Sequence, residues 1–422
     1  MKSDVHRHKR TPDTHERTPT QMKAHERLLK YVTYMTPSDE NSDSSPSSAC
    51  QFDLARVLAR ELQTLGVTNA FVSEYCYVYG RIPATPGCED VTPIGFIAHM
   101  DTVARHCDHP VSPIVTPDYD GGPLPLGESG RVLSPEMFPH LRNFKGRTLI
   151  TSDGTTILGA DDKAGIAEIM TMVERLTGPH GPISIAFTPD EEIGRGTAKF
   201  DFAAFGAKYA YTVDGDFEGE LDYETFNAAA ALVRFTGVDV HPGDAKDVMV
   251  NAARVAMEYD TLIPMDERPE RTDGRQGFYH LVATDGTPDS AMLTYIIRDH
   301  DRKTFERRQG FMRDMVEVIN RKYGEGTASI DIRLQYRNMA DIIAQNPIVL
   351  DKAKEAMAGL SITPIIKPVR GGTDGSLLSY KGLPCPNLGT GGHAFHGPYE
   401  HITVEGMDTV VDILLAIVRA YL

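Results

Sequence analysis

Thr188-Pro-Asp-Glu-Glu-Ile-Gly-Arg-Gly196 follows directly on the apolar run Ile183-Ser-Ile-Ala-Phe187. A short apolar run of this kind reads as a buried strand, so Glu191 and Glu192 sit where a strand opens into a loop. Neighbouring side chains there point in different directions. One carboxylate can therefore hold a cation while the other handles a proton. Two acids after a strand also fit a solvated loop, and what separates the two readings is recurrence. Four comparable places exist elsewhere in the chain.

Pro93-Ile-Gly-Phe-Ile-Ala-His-Met-Asp-Thr102 is an apolar strand ending in His99 and Asp101. Residues two apart on a strand share a face, so His99 can ligate a metal while Asp101 orients its imidazole. In Thr156-Ile-Leu-Gly-Ala-Asp-Asp-Lys-Ala-Gly165, Asp161 and Asp162 precede a segment with Ile166, Ile169, Met170 and Val173 at helical spacing. That spacing predicts an amphipathic helix, which one of the two acids could cap. Tyr209-Ala-Tyr-Thr-Val-Asp214 is again an apolar run ending in an acid, and Gly389-Thr-Gly-Gly-His-Ala-Phe-His-Gly397 is a glycine-rich loop with two histidines. Histidines and carboxylates thus fall at the exits of separate strands, where open α/β sheets bind ligands. Nitrogen and oxygen donors without thiolates suit Zn²⁺, with Mn²⁺ or Co²⁺ as alternatives, and a shared carboxylate makes a two-ion site.

From about Met22 to the C-terminus these motifs, in this order, resemble the peptidase T group of the M20 metallopeptidases, which are tripeptide aminopeptidases. The most specific pieces are Ala98-His-Met-Asp-Thr102, Leu158-Gly-Ala-Asp-Asp-Lys-Ala-Gly-Ile-Ala-Glu-Ile169 and Phe187-Thr-Pro-Asp-Glu-Glu-Ile-Gly194. Val240-His-Pro-Gly243, Met249-Val-Asn-Ala252, Tyr295-Ile-Ile-Arg-Asp299, Arg370-Gly-Gly-Thr-Asp-Gly375 and Phe395-His-Gly397 add to them. The resemblance implies that His99 and Asp214 hold one metal, that Glu192 and His396 hold the other, and that Asp161 bridges both. It makes Glu191 the general base and Asp101 the residue that orients His99. His396 is preferred to His393 for its Phe-His-Gly setting. The chain departs from the family pattern at Gly215-Asp-Phe-Glu-Gly219, which adds negative charge where a glycine-rich stretch is usual.

Three further residues are candidates for substrate binding: His241 as a donor to the oxyanion, and Arg298 and Arg370 as forks for the peptide's C-terminal carboxylate. Asn251 is a weaker candidate and reads more simply as a helix-start residue. The expected activity is removal of the N-terminal residue from tripeptides. Alternatives are a related dipeptidase, carboxypeptidase or N-deacylase with the same metals, or a binding protein that kept the fold.

A chain of 422 residues exceeds one comfortable core, and its composition, 41% hydrophobic and 24% charged, is globular. A net charge of −16 argues against nucleic-acid partners. No apolar run approaches the ~20 residues of a membrane helix, and the basic N-terminus lacks the apolar stretch of a signal peptide. Cys50, Cys76, Cys88, Cys107 and Cys385 show no CxxC spacing and leave an odd thiol, which suits the cytoplasm. A homodimer is among the assemblies the sequence permits.

Residues 1–21, polar and carrying His6, His8 and His15, read as a disordered extension; Ser42–Ser48 reads as a second flexible stretch. The expected fold is α/β: a zinc-peptidase-type catalytic domain with a mixed sheet flanked by helices, in two parts at 22–225 and 337–422. Between them, 226–336 predicts the β-α-β-β-α-β order of a ferredoxin-like lid domain. Its strands are expected near 230–237, 277–283, 290–298 and 328–335, and its helices near 248–262 and 303–322.

Overall fold

The computed structural model describes residues 21–422, so the N-terminal extension expected for 1–21 lies outside it except for its last residue. The central sheet has seven strands, in the order Phe71–Val72, Val78–Ile82, Ile183–Thr188, Ile94–His99, Tyr209–Gly215, Asn387–Gly389 and Leu221–Asp222. The middle four run parallel, Val78–Ile82 and Leu221–Asp222 are antiparallel to them, and Phe71–Val72 is antiparallel to its neighbour Val78–Ile82. Their shared direction brings the exits of four chain segments to one edge of the sheet.

Every residue of Ile94–His99 and Ile183–Thr188 is buried, which is why these strands read as continuous apolar runs rather than alternating ones. Alternate residues serve two cores. Phe96, Ala98, Ile185 and Phe187 face the core shared with helices Ala24–Tyr31, Ala160–Arg175 and Val404–Ala420. Ile97, Ala186 and Ala210 face a second cluster with Tyr77, Tyr79, Phe205 and Leu378. The helix expected after Asp162 is present, but it is not amphipathic: all its residues from Asp162 to Val173 are buried. Two other helices and the sheet enclose it, leaving no wet face.

Residues 227–336 form a separate antiparallel sheet, ordered Phe278–Gly286, Ser290–Asp299, Asn227–Thr236, Ala328–Tyr336. Helices Ala252–Leu262 and Arg302–Tyr323 pack on it around Tyr259, Tyr295, Ile297, Phe305 and Met312. The first of these helices starts four residues later than its apolar spacing suggests. Val250 exchanges backbone hydrogen bonds with Val238 at 2.8 and 3.0 Å, and Asn251 then caps the helix by accepting the Arg254 N–H at 3.1 Å. After Tyr336 the chain returns to the main body and supplies strand Asn387–Gly389 to the central sheet and Val404–Ala420 to its helical face.

Candidate metal centre

Each of the four parallel strands delivers part of one cluster. His99 ends the first, Glu191 and Glu192 follow Thr188, Asp214 lies at the end of the third, and His396 sits in the loop after Gly389. Asp161 comes from the start of the buried helix. Its two oxygens face different histidines: Oδ1 lies 2.9 Å from His99 Nε2, and Oδ2 lies 3.0 Å from His396 Nε2. Asp214 Oδ1 is 3.5 Å from His99 Nε2, and Glu192 Oε2 is 3.1 Å from His396 Nε2. Donor atoms of His99, Glu191 and Asp214 lie within 4.8 Å of one another, as do those of His99, Asp161 and Glu192. The five residues expected as ligands, together with Glu191, are therefore gathered in one place.

Backbone geometry fixes these side chains. His99 Nδ1 donates to the Asp101 carbonyl at 3.0 Å, which turns Nε2 towards Asp161 and Asp214. The Asp101 carboxylate was expected to orient His99. It lies 3.4 Å from Nδ1, but its closer contacts are with the Glu191 amide at Oδ1 (3.0 Å) and the Glu192 amide at Oδ2 (3.2 Å). Asp162, the other half of the acidic pair, caps the helix by accepting the Gly165 N–H and also accepts the His99 N–H. Asp190, in a left-handed conformation, receives the Ser47 amide, the Ser47 hydroxyl and the Gln51 side chain. Ser42–Ser48 is thereby tied to the loop that carries Glu191, rather than left loose.

Sequence reasoning missed Glu400. This residue is 1% exposed, and it accepts the Leu158 N–H at 2.7 Å, the Gly159 N–H at 2.8 Å and the Asp161 N–H at 3.0 Å. It holds the segment that presents Asp161 from a position about 240 residues away, and no local pattern announces such a role. His393 belongs elsewhere. It is buried in an aromatic cluster with His140, His401, Phe144 and Phe217.

Concentrating so many acids in a buried space has an electrostatic cost. Burial, with Asp161 adding to it, raises Asp214 to about 6 and Glu192 to about 7; burial and the Asp214 charge also push Glu191 well above the usual carboxylate range. Burial alone would lower His99, but the surrounding Asp214, Asp101 and Asp161 carboxylates hold it well above its ordinary value. Hydrogen bonds to Asp161 and Glu192 raise His396 to about 11. An excess of anions held by a rigid frame is what divalent cations neutralise, and imidazole with carboxylate suits them.

Beside the cluster is a cavity of about 540 Å³, walled by Glu191, Glu192 and His396, by Arg298, Gln335 and Tyr336 of the inserted sheet, and by Thr373, Asp374 and Leu377. Arg298 stacks on Tyr336 at 5.4 Å and uses Nη1 on the Ala229 and Ile297 carbonyls. The other two substrate-binding candidates are not part of this wall. Arg370 is occupied by the Gly274 and Gln276 carbonyls and the Thr272 hydroxyl, and it stacks over Phe226 and Phe278. Its guanidinium braces the inserted unit. His241 begins an exposed Pro242 turn, where its Nδ1 accepts the Gly243 N–H at 3.1 Å.

A carboxylate bridging two histidines at the C-terminal edge of a parallel sheet, with a second acid beside it, defines a candidate metallohydrolase centre. The model of Peptidase family M20/M25/M40 matches residues 150–420. Peptidase T of Geobacillus sp. (strain WCH70) is 49% identical over 401 residues, covering 94% of this chain and 98% of the relative. Among solved structures, aminopeptidase PepT of Bacillus cereus superposes with a TM-score of 0.74 at 24% identity, covering 95% of this chain and 99% of that one. A tripeptidase of Staphylococcus aureus gives 0.75 at 20% identity, covering 95% and 98%. The chain belongs to Peptidase family M20/M25/M40 and is a peptidase.

Proposed function

We propose that this protein is a tripeptide aminopeptidase using two divalent cations, Zn²⁺ foremost and Mn²⁺ or Co²⁺ as alternatives. The observation that carries the two-ion reading is Asp161, whose oxygens lie 2.9 and 3.0 Å from two different imidazoles. His99 and Asp214 would hold one ion, Glu192 and His396 the other, and Asp161 both. When bound, such a pair acidifies a water molecule towards a pKa of ~7 and polarises the scissile carbonyl.

The chain's own residues supply the rest. Glu191 lines the cavity next to the cluster, and its surroundings raise its proton affinity. It is the proposed general base that takes the proton from water and returns it to the departing amine, a role typically worth ~10²–10⁴-fold. Asp101, by accepting both amides of the Glu191–Glu192 pair, fixes base and ligand relative to each other. Arg298 uses Nη1 on two backbone carbonyls and lines the cavity, where its guanidinium is a suitable fork for a peptide carboxylate.

The inserted sheet, which supplies Arg298 and Tyr336 to the cavity, is proposed as a lid. The cytoplasm is the proposed compartment, supported by five cysteines that are all unpaired. Among the described residues no helix is long and apolar enough to cross a membrane. A homodimer is part of the same proposal, supported by the open outer edge of strand Phe278–Gly286.

Metal analysis beside a substrate panel tests the reading. The expected result is about two metal equivalents, with turnover of Ala-Ala-Ala but not of Ala-Ala or N-acetyl-alanine. Preference for either of the latter would move the protein to a dipeptidase or deacylase.

A further inference from the structure

Two charged side chains in the cavity wall take no part in the cluster: Arg298 and Asp374. Asp374 is 3% exposed, yet its one side-chain hydrogen bond among the described residues is from the Thr188 hydroxyl to Oδ2, at 2.9 Å. A carboxylate can accept about four hydrogen bonds, and leaving most of that capacity unused in a buried site is costly. Capping does not account for the residue. Asp374 opens helix Asp374–Tyr380, but it accepts none of that helix's amides. Lys381, which acts on it electrostatically, is bonded to Thr197. Gly196 lies alongside, and a Cβ there would come within 2.3 Å of both Asp374 oxygens. The chain therefore has its one side-chain-free residue type where any other would crowd this carboxylate.

A small peptide with free ends is a zwitterion, ammonium at one end and carboxylate at the other. The cavity offers one unassigned acid and one arginine, in addition to the cluster that would perform the chemistry. We propose that Asp374 receives the α-ammonium group of the substrate and is the residue that selects peptides with a free N-terminus. The proposal rests on the peptidase reading above and extends it to the group that distinguishes an aminopeptidase from other amide hydrolases. The ammonium would complete the hydrogen bonding that Thr188 begins, a charge-assisted contact to a carboxylate that is itself buried.

The test compares Ala-Ala-Ala with propanoyl-Ala-Ala, the same peptide lacking only its α-amino group, on zinc-loaded enzyme. A site built to bond a substrate N–H rejects the analogue without it by ~10⁴-fold, so the native enzyme should prefer Ala-Ala-Ala by about that factor in kcat/KM. Asp374→Asn keeps the side chain's size and its bond to Thr188. It should retain the native metal content while the preference falls by at least ~100-fold, mainly through slower Ala-Ala-Ala turnover. A preference left unchanged, with both rates lowered alike, would overturn the proposal and leave Asp374 as a structural prop. Should that variant not fold, Gly196→Ala asks the same question with Asp374 chemically intact, and selectivity should again drop. If the native protein turns over neither peptide, the peptidase reading is what fails. Equilibrium binding of the two peptides to zinc-loaded protein then decides the proposal, and equal affinities overturn it.

Discussion

The inserted unit and the strand-end loops are built from opposite materials. The unit's strands run nine or ten residues in antiparallel pairs interrupted only by bulges near Ala228 and Val282, and their inward faces are aliphatic or aromatic. The loops crowd Asp101, Asp161, Asp162, Glu191, Glu192, Asp214 and Glu400 around two imidazoles, and they use left-handed backbone at Asp190 (φ 60°), Ala394 (φ 56°) and His396 (φ 62°). Sparsely populated conformations and buried charge persist where surrounding structure over-determines them, and that is how functional sites are commonly built. The first region holds itself together by burying apolar surface. The second depends on the close-packed sheet beneath it and on positive charge brought from outside.

The largest effect that would expose this contrast is metal removal. Chelation should abolish hydrolysis and Zn²⁺ should restore it, because the proposed ions are what would acidify the attacking water. The same treatment should lower the unfolding midpoint by leaving several carboxylates to repel one another. Activity and midpoint that both survive exhaustive chelation would mean that the loops stand without cations. Glu191→Ala comes next, with hydrolysis lower by ~10²–10⁴-fold and bound metal unchanged. Normal turnover by that variant would remove Glu191 from the mechanism.

The same contrast decides what could be read from the sequence. Apolar runs ending in acids or histidine marked His99, Glu191, Glu192 and Asp214 as candidates, and the structure gathers them because each stands at the end of a strand of one sheet. The β-α-β-β-α-β rhythm of the inserted unit was visible because its strands and helices carry their periodicity locally. Glu400 and Asp374 were not legible in those terms. Their hydrogen bonds run to residues 239–242 and 186 positions away respectively; Glu400 stands in no motif, and Asp374 stands in the Arg370–Gly375 motif without any local sign of its partner. Arg370 and His241 show the converse. Each sits in a motif suggestive of binding, but packing turns one to a brace and leaves the other in solvent. The helical spacing after Asp162 was real, while its expected wet face was not, since wetness depends on what packs against a helix.

A smaller effect would sharpen the view that distant polar bonds position the loops. Glu400→Gln keeps the shape of the side chain but replaces one acceptor oxygen with an amide donor facing backbone N–H groups. By analogy with residues that support metal ligands, metal affinity or activity should fall by ~10–100-fold. Titration of apo protein with Zn²⁺ measures this directly. An affinity equal to that of the native protein would show that the Leu158–Asp161 segment keeps its course unaided.

The smallest effect at neutral pH belongs to the histidine cluster that flanks the His396 loop. His393 and His401 lie on the paired strands Gly392–His393 and His401–Thr403, so residues 394–400, with His396 and Glu400, are suspended between them. Their protons can be assigned. His401 Nδ1 donates to the Tyr399 carbonyl at 2.7 Å, so its Nε2 accepts from His140 Nε2 at 2.9 Å, and both rings are neutral. Burial, reinforced by the neighbouring imidazoles, depresses His393 to about 2 and His401 to about 4. Below an unfolded value of ~6.5 the unfolded chain takes up protons that the folded one refuses. Stability from these residues is therefore fully present above that pH and is lost as pH falls towards the folded values. His393→Leu should change little at pH 7.5, because His393 Nε2 has no hydrogen-bond partner to lose. It should, however, narrow the gap between unfolding midpoints at pH 7.5 and 4.5. An identical gap in native protein and variant would mean that acid acts through the carboxylates alone, and that this cluster is merely apolar packing under the loop.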